Sequence, residues 1–335
     1  MSISSSPPFK VATVPLISQR GDASQNVANV SAWLADAALQ EISLIVFPEA
    51  SLVGYGDTLA LRRRELVTLA EPLDGRSIDA VANAVERTGV AAGVGFIERA
   101  PDGRLFNSYV ICMPGGGRCC HRKLHMVEHP AIECGEQYTV IDTTWGVRIG
   151  ILVGADNYLI ENVRMTAMMG ATLLVAPHRT YGSDSNGDAA LQRLSPGQRS
   201  GPHVAHGAVA AESASAAAWL RRSLIARASD NGMFVVFSNG SEKGNNQSGM
   251  IVDPDGRVLA EQCSSSSPMV STEVDPSLIA GSVGQQCLTA RRSDSNGPFV
   301  RSMPPRGNAF AQRSGTPSRG AIALSFAQVS RIRQT

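Results

Sequence analysis

The chain has 335 residues, 43% of them hydrophobic, enough to bury a substantial core as one large α/β domain or two smaller ones. Its formal net charge is +1, so no global field directs it to nucleic acid or to a membrane surface. No apolar run is long enough to span a bilayer, and the start MSISSSPPFK lacks the basic and apolar regions of a secretory leader, so a cytoplasmic protein is expected. The cysteines, at 112, 119, 120, 134, 263 and 287, show no zinc-type paired spacing and read as reduced thiols.

Apolar periodicity predicts alternating strands and helices. Val11–Leu16 reads as a buried strand, Ala23–Gln40 as an amphipathic helix and Ser43–Phe47 as a second buried strand. Ile78–Arg87 reads as a helix, Val90–Glu98 as a strand, and Ser108–Met113 as a strand after a PDGR turn. Further on, Gly146–Gly154 reads as a strand, Ile160–Met169 as a helix and Thr172–Ala176 as a strand. Ala217–Asp230 reads as a helix and Met233–Ser238 as a strand, and Gly249–Asp253 with Arg257–Glu261 flanks a Pro254-Asp255-Gly256 hairpin turn. Such alternation predicts helix layers on sheets.

Two stretches break the pattern. Tyr181–Ala216 is rich in Gly, Ser and Ala and reads as a mobile insert, with room for a helical end. From Leu288 onward eight arginines stand against one aspartate and no lysine or glutamate, a local charge of +7 against −6 for the rest. Residues 1–290 are therefore expected to form the folded domain and 291–335 a disordered tail, although a recoded tail would look the same.

Four segments carry chemistry. Glu49, in Phe47-Pro48-Glu49, sits at the C-terminal end of a buried strand, where α/β sheets place ligand groups; a helix cap is the plainer role. Lys123, within His121–His125, is suited to holding an anionic oxygen or to lowering a neighbour's pKa, although alone the segment reads as a solvated basic cluster. Glu128 precedes Gly135 by seven residues, with Glu133 and Glu136 as rivals by type. Last, Gly150–Asp156 ends a buried strand in a sharp turn before a helix, which exposes one residue to a cleft with helix N–H groups aimed at it; Glu161 and Arg164 follow three residues apart on that helix.

In order, FPEASLVGY (47–55), HRKLH (121–125), Glu128 by its spacing, and VGADNYLIENVR (153–164) resemble the motifs of the nitrilase superfamily, the carbon–nitrogen hydrolases. ARASDNGMFVVFSNG (226–240) and GMIVDPDGRVLAE (249–261) resemble that family's later strands, and the similarity runs from about Lys10 to Ala290. The resemblance implies an α-β-β-α four-layer sandwich, a homodimer or larger homo-oligomer, and a small amide, N-carbamoyl compound or nitrile as substrate. It further implies that Glu49 is the general base, that Lys123 and the backbone N–H of Ala155 stabilise the oxyanion, and that Glu128 orients Lys123. His178 and Arg179, after the next strand, stand where family members place substrate contacts and are candidates to meet a carboxylate, equally readable as a cap or a surface pair. No phosphate loop, metal cluster or nucleic-acid module appears, and no cofactor is implied.

Position 154, where the family places its cysteine nucleophile, is glycine. Glycine supplies no thiolate, so the covalent route is closed there as the sequence stands. Four readings compete: an amidase or nitrilase whose Gly154 is an introduced or accidental change, a pseudoenzyme that binds or regulates, a non-covalent enzyme using Glu49 as base, and a decaying gene. Cys134 is the nearest alternative thiol by sequence, but it does not lie on the turn.

Overall fold

A strand buried on both faces reads as an unbroken apolar run, because each alternate side chain meets a different layer. The computed structural model, which describes residues 6–54, 61–126, 129–180, 206–241, 248–262 and 269–291, realises this arrangement twice. In chain order its first half comprises β1 (Phe9–Thr13), α1 (Ala23–Leu39), β2 (Ile42–Val46), α2 (Arg63–Leu69), α3 (Arg76–Thr88), β3 (Ala91–Arg99), β4 (Leu105–Met113) and β5 (Gly117–Arg122). Then follow β6 (Thr139–Asp142), β7 (Arg148–Ile151), a 3-10 turn (Gly154–Tyr158), α4 (Ile160–Met168), β8 (Leu173–Thr180) and α5 (His206–Asn231). The last elements are β9 (Phe234–Ser241), β10 (Ser248–Val252), β11 (Val258–Glu261), β12 (Val270–Val274), α6 (Ser277–Gly281) and α7 (Val283–Thr289).

One sheet has the order β12-β1-β2-β3-β4-β5 and the other β11-β10-β9-β8-β7-β6. Each holds three neighbouring parallel strands, β1-β2-β3 and β7-β8-β9, with antiparallel strands outside them. Val11, Leu44, Ile149, Val175, Phe234 and Ile251 form the core between the sheets. The alternate residues Ala12, Ile45 and Val94 pack on Val30 and Leu34 of α1 and Val81 and Val85 of α3. Leu174, Val235 and Val252 pack likewise on Val163 of α4 and Leu220 and Leu224 of α5. The result is the expected α-β-β-α sandwich, and each fully buried large apolar side chain in these layers contributes about 1.5–3 kcal/mol of transfer free energy.

The differences from the expected elements have local causes. The strand expected over Gly146–Gly154 is confined to Arg148–Ile151, because the chain turns away where the Asp156 carboxylate takes the N–H of Val153 at 3.1 Å. β8 continues through Pro177, which reads as a strand breaker, to Thr180. Past Val175 its pairing with β7 has ended, leaving an unpaired side where a proline is tolerated. The insert expected over Tyr181–Ala216 gives way to helix α5 at His206, while its residues 181–205 lie outside the described residues, as does the tail from 292. The turn expected at Pro254-Asp255-Gly256 is present, with Gly256 at φ +84° and Asp253 N–H donating to the Arg257 carbonyl at 2.9 Å. Six short elements (α2, β5, β6, β12, α6, α7) are not among the expected ones. Among the described residues no helix is long and apolar enough to cross a membrane.

Candidate active site

One parallel strand of each sheet ends at the same place. β2 runs into Phe47-Pro48-Glu49, and β7 runs into the 3-10 turn that begins at Gly154. Near this point the sheets are bonded to each other: Thr13 Oγ1 donates to the Phe237 carbonyl at 2.9 Å, and Ser238 Oγ to the Val14 carbonyl at 3.1 Å. A residue on either strand end is thereby held against a residue on the other.

Glu49 and Lys123 are each 1% exposed. Lys123 Nζ donates to Glu49 Oε1 at 2.8 Å, and Asn107 Nδ2 donates to the same oxygen at 2.7 Å. Gly154 has φ +52°, a left-handed conformation that favours glycine. An ideal Cβ on Gly154 would lie 2.5 Å from Glu49 Oε2, 2.7 Å from Lys123 Nζ and 2.9 Å from Glu49 Oε1. The carboxylate and the ammonium thus close over the space that a side chain at 154 would occupy. Both are ends of flexible side chains, which must shift to admit that side chain.

The turn is built by its own polar groups. Asp156, fully buried, accepts the N–H of Val153 at 3.1 Å, of His125 at 2.8 Å and of Leu124 at 3.2 Å. One carboxylate therefore joins the Lys123 loop to the Gly154 turn. His121, also buried, sets Nε2 at 3.5 Å from Asp156 Oδ2 and Nδ1 at 3.0 Å from Thr139 Oγ1. Asn157 Nδ2 donates to the carbonyls of Leu152 at 2.9 Å and Gly154 at 3.3 Å, fixing the peptide on which the Ala155 N–H stands. Replacing Asp156 with alanine leaves three backbone donors without this acceptor. The expected loss is about 3 kcal/mol in chemical denaturation; a loss below about 0.5 kcal/mol would show that the turn holds without it.

Arg122, just before the lysine, is fixed from behind. Its Nε donates to Glu98 Oε2 at 2.9 Å, and its guanidinium lies 3.9 Å over the Phe106 ring. Burial acts to raise the Glu98 carboxyl, but the bonds from Arg122 and Ser108 hold it below the usual carboxylate range.

The other candidates are placed as follows. Ala155 is buried in the first turn after position 154. His178 and Arg179 lie on opposite faces of β8 by strand alternation. His178 faces the helix layer, edge-on to Tyr158 with centroids 5.8 Å apart and tilted to Phe237 at 6.2 Å, while Arg179, 1% exposed, faces the layer between the sheets. Glu128 lies outside the described residues. Sequence reasoning missed Asn107, whose buried amide in β4 had no local signal. Among the described residues no cluster of three or more His, Cys, Asp or Glu is placed to hold a metal ion.

No described thiol stands at the turn. Burial pushes Cys112 and Cys119 up to about 11 and raises Cys120 further, so these are poor nucleophiles. Cys134 is exposed, and its sulfur accepts the Met126 N–H at 3.4 Å. Iodoacetamide at pH 8 is expected to alkylate Cys134 and Cys287 at least about tenfold faster than Cys112, Cys119 or Cys120, as read by peptide mass spectrometry; equal rates would contradict the burial argument.

Comparison with known proteins bears on the family and the fold. The model of the carbon-nitrogen hydrolase family matches residues 10–281. An (R)-stereoselective amidase from a Pseudomonas species is 30% identical over 261 residues, covering 76% of this chain and 80% of that protein. Among solved structures, Nit3 of Saccharomyces cerevisiae, a member of branch 10 of the nitrilase superfamily, superimposes with TM-score 0.65 at 19% identity, covering 86% of this chain and 97% of Nit3. A mutant of the amidase from Nesterenkonia sp. AN1, showing covalent addition of the acetamide moiety of fluoroacetamide at its active-site cysteine, superimposes with TM-score 0.62 at 17% identity, covering 86% and 95% of the two chains. With a family match over most of its length and the matching sandwich fold, this chain belongs to the carbon–nitrogen hydrolases of the nitrilase superfamily.

Proposed function

We propose that this chain holds a small amide in a carbon–nitrogen hydrolase cleft whose covalent nucleophile is missing, so that its turnover is absent or very weak. The observation that carries this is the position of Gly154: any side chain there would start within 2.9 Å of both the Glu49 carboxylate and the Lys123 ammonium. A thiol at that point would give its proton to Glu49 Oε2 and attack a carbonyl carbon. The carbonyl oxygen, taking up negative charge, would be met by Lys123 Nζ and the Ala155 N–H. Collapse would expel the amine with a proton from Glu49, and water activated by Glu49 would release the acid and restore the thiol. Glu128 is the candidate to orient Lys123. With glycine at 154 the first bond cannot form, and only binding and polarisation remain.

An amide is favoured over an N-carbamoyl compound or a nitrile because the relative covering 80% of its own length is named as an amidase. Calorimetric titration with small amides, beside an ammonia-release assay, tests the proposal on the chain as it stands. Binding without turnover is expected; no binding to any amide would overturn it. One observation favours a second reading: Glu49 Oε2 takes no hydrogen bond among the described residues, which leaves a base able to activate water directly. Turnover by the unaltered chain that Glu49→Gln abolishes would establish that alternative.

A further inference from the structure

The two oxygens of Glu49 are not equivalent. Oε1 takes hydrogen bonds from Asn107 Nδ2 at 2.7 Å and from Lys123 Nζ at 2.8 Å. Oε2 takes none among the described residues and is the atom nearest to the Cβ position of residue 154. One oxygen is anchored, and the other keeps its lone pairs toward the place where chemistry would occur.

Asn107 is 1% exposed in β4, on the face that looks toward the other sheet. Its own carbonyl accepts the backbone N–H of Lys123 at 2.8 Å. Two residues on, and so on the same face, Tyr109 donates its buried hydroxyl to the Phe47 carbonyl at 2.7 Å. β4 therefore grips the acid segment through its side chain and its backbone, and the lysine through its main chain.

Resting on the amidase reading above, we propose that Asn107 is a positioning residue that selects Oε2 of Glu49 as the base and holds Glu49 still when Lys123 turns to an oxyanion. Lys123 has two demands on one ammonium: it anchors Glu49 at rest, and in the reaction it must meet new negative charge. A carboxylate anchored by the lysine alone would follow it or lose its orientation. A neutral amide keeps the carboxylate in place without adding positive charge. The Asn107 amide donates directly to the carboxylate at 2.7 Å, and Asn107→Leu removes that bond. Lys123 pairs with Glu49 at 2.8 Å, and Arg179 is a second buried cation, on the face of β8 between the sheets. His121 and Asp156 lie at the lysine loop and the turn, while Glu98 and Arg122 meet Ser108 on the opposite face of β4.

The test places Asn107→Leu in a Gly154→Cys background and reads two pH profiles. One is the alkylation rate of the introduced thiol by iodoacetamide, located by peptide mass spectrometry, which needs no substrate. The other is kcat and KM on a small amide. The acid limb of both profiles is expected to move up by about one pH unit, as loss of one hydrogen bond to a charged group requires. kcat is expected to fall about tenfold with KM within about twofold. A merely structural role would lower the melting temperature and leave the acid limb in place, and that result overturns the proposal. A shift in alkylation without amide turnover upholds the role of Asn107 and counts against the amidase reading; turnover without a shift does the reverse. If Asn107→Leu does not fold, Asn107→Ser, too short to reach Glu49, decides by the same shift.

Discussion

Gly154→Cys is expected to raise hydrolysis of small amides by about 10⁴-fold or more over the unaltered chain, judged by what loss of a nucleophile costs in a protease. The expectation rests on what already surrounds position 154: a buried carboxylate with an unanchored oxygen, a buried ammonium, and a turn tied by Asp156. The same variant is expected to be less stable by about 1–2 kcal/mol, because a side chain at φ +52° is strained and must push back the Glu49–Lys123 pair. Gly154→Ala separates the two effects: it should carry the stability loss without the activity. A folded Gly154→Cys protein that turns over neither amides, N-carbamoyl compounds nor nitriles would remove the case that this cleft lacks only its nucleophile.

The second large effect concerns the ion pair itself. Lys123→Met leaves the Glu49 carboxylate buried without its counter-charge, and such a loss costs about 3–5 kcal/mol. Combining it with Glu49→Gln removes the charge while keeping an acceptor for Asn107, and should recover at least about 2 kcal/mol of that cost. The measurement is a double-mutant cycle by chemical denaturation. A coupling near zero would show that the short contact at 2.8 Å is not energetically a pair. Within a Gly154→Cys background the single change at Lys123 should also lower kcat by about 10²–10³, as removal of an oxyanion donor does elsewhere.

Several of these residues were legible in the sequence because their signals are local. The strand cores of β2, β7 and β9 are runs of apolar residues, and the residues that end them, Glu49 and Gly154, are conspicuous because such runs stop at a turn. The segment around Lys123 was found by its resemblance to the family's lysine motif, since β5 is an edge strand of mixed burial with no apolar period. The His178–Arg179 pair shows where local reasoning stopped: Pro177 suggested a strand end, whereas β8 runs on to Thr180 and alternation sends the two side chains to different layers.

The sequence by itself determined the layered α/β class, the family, and the absence of any nucleophile at position 154, because these depend on residue type and near-neighbour spacing. Only the tertiary structure decided that Asn107, 58 residues from Glu49, shares its carboxylate oxygen with Lys123. It alone decided that Asp156 binds the N–H groups of a loop 31 and 32 residues away. Those contacts follow from strand register and from the packing of one sheet end on the other, and neither leaves a periodic trace in the chain. Position 154 belongs to both levels. The sequence says that it is glycine; the fold says that a carboxylate and an ammonium have closed over the place where its side chain would be.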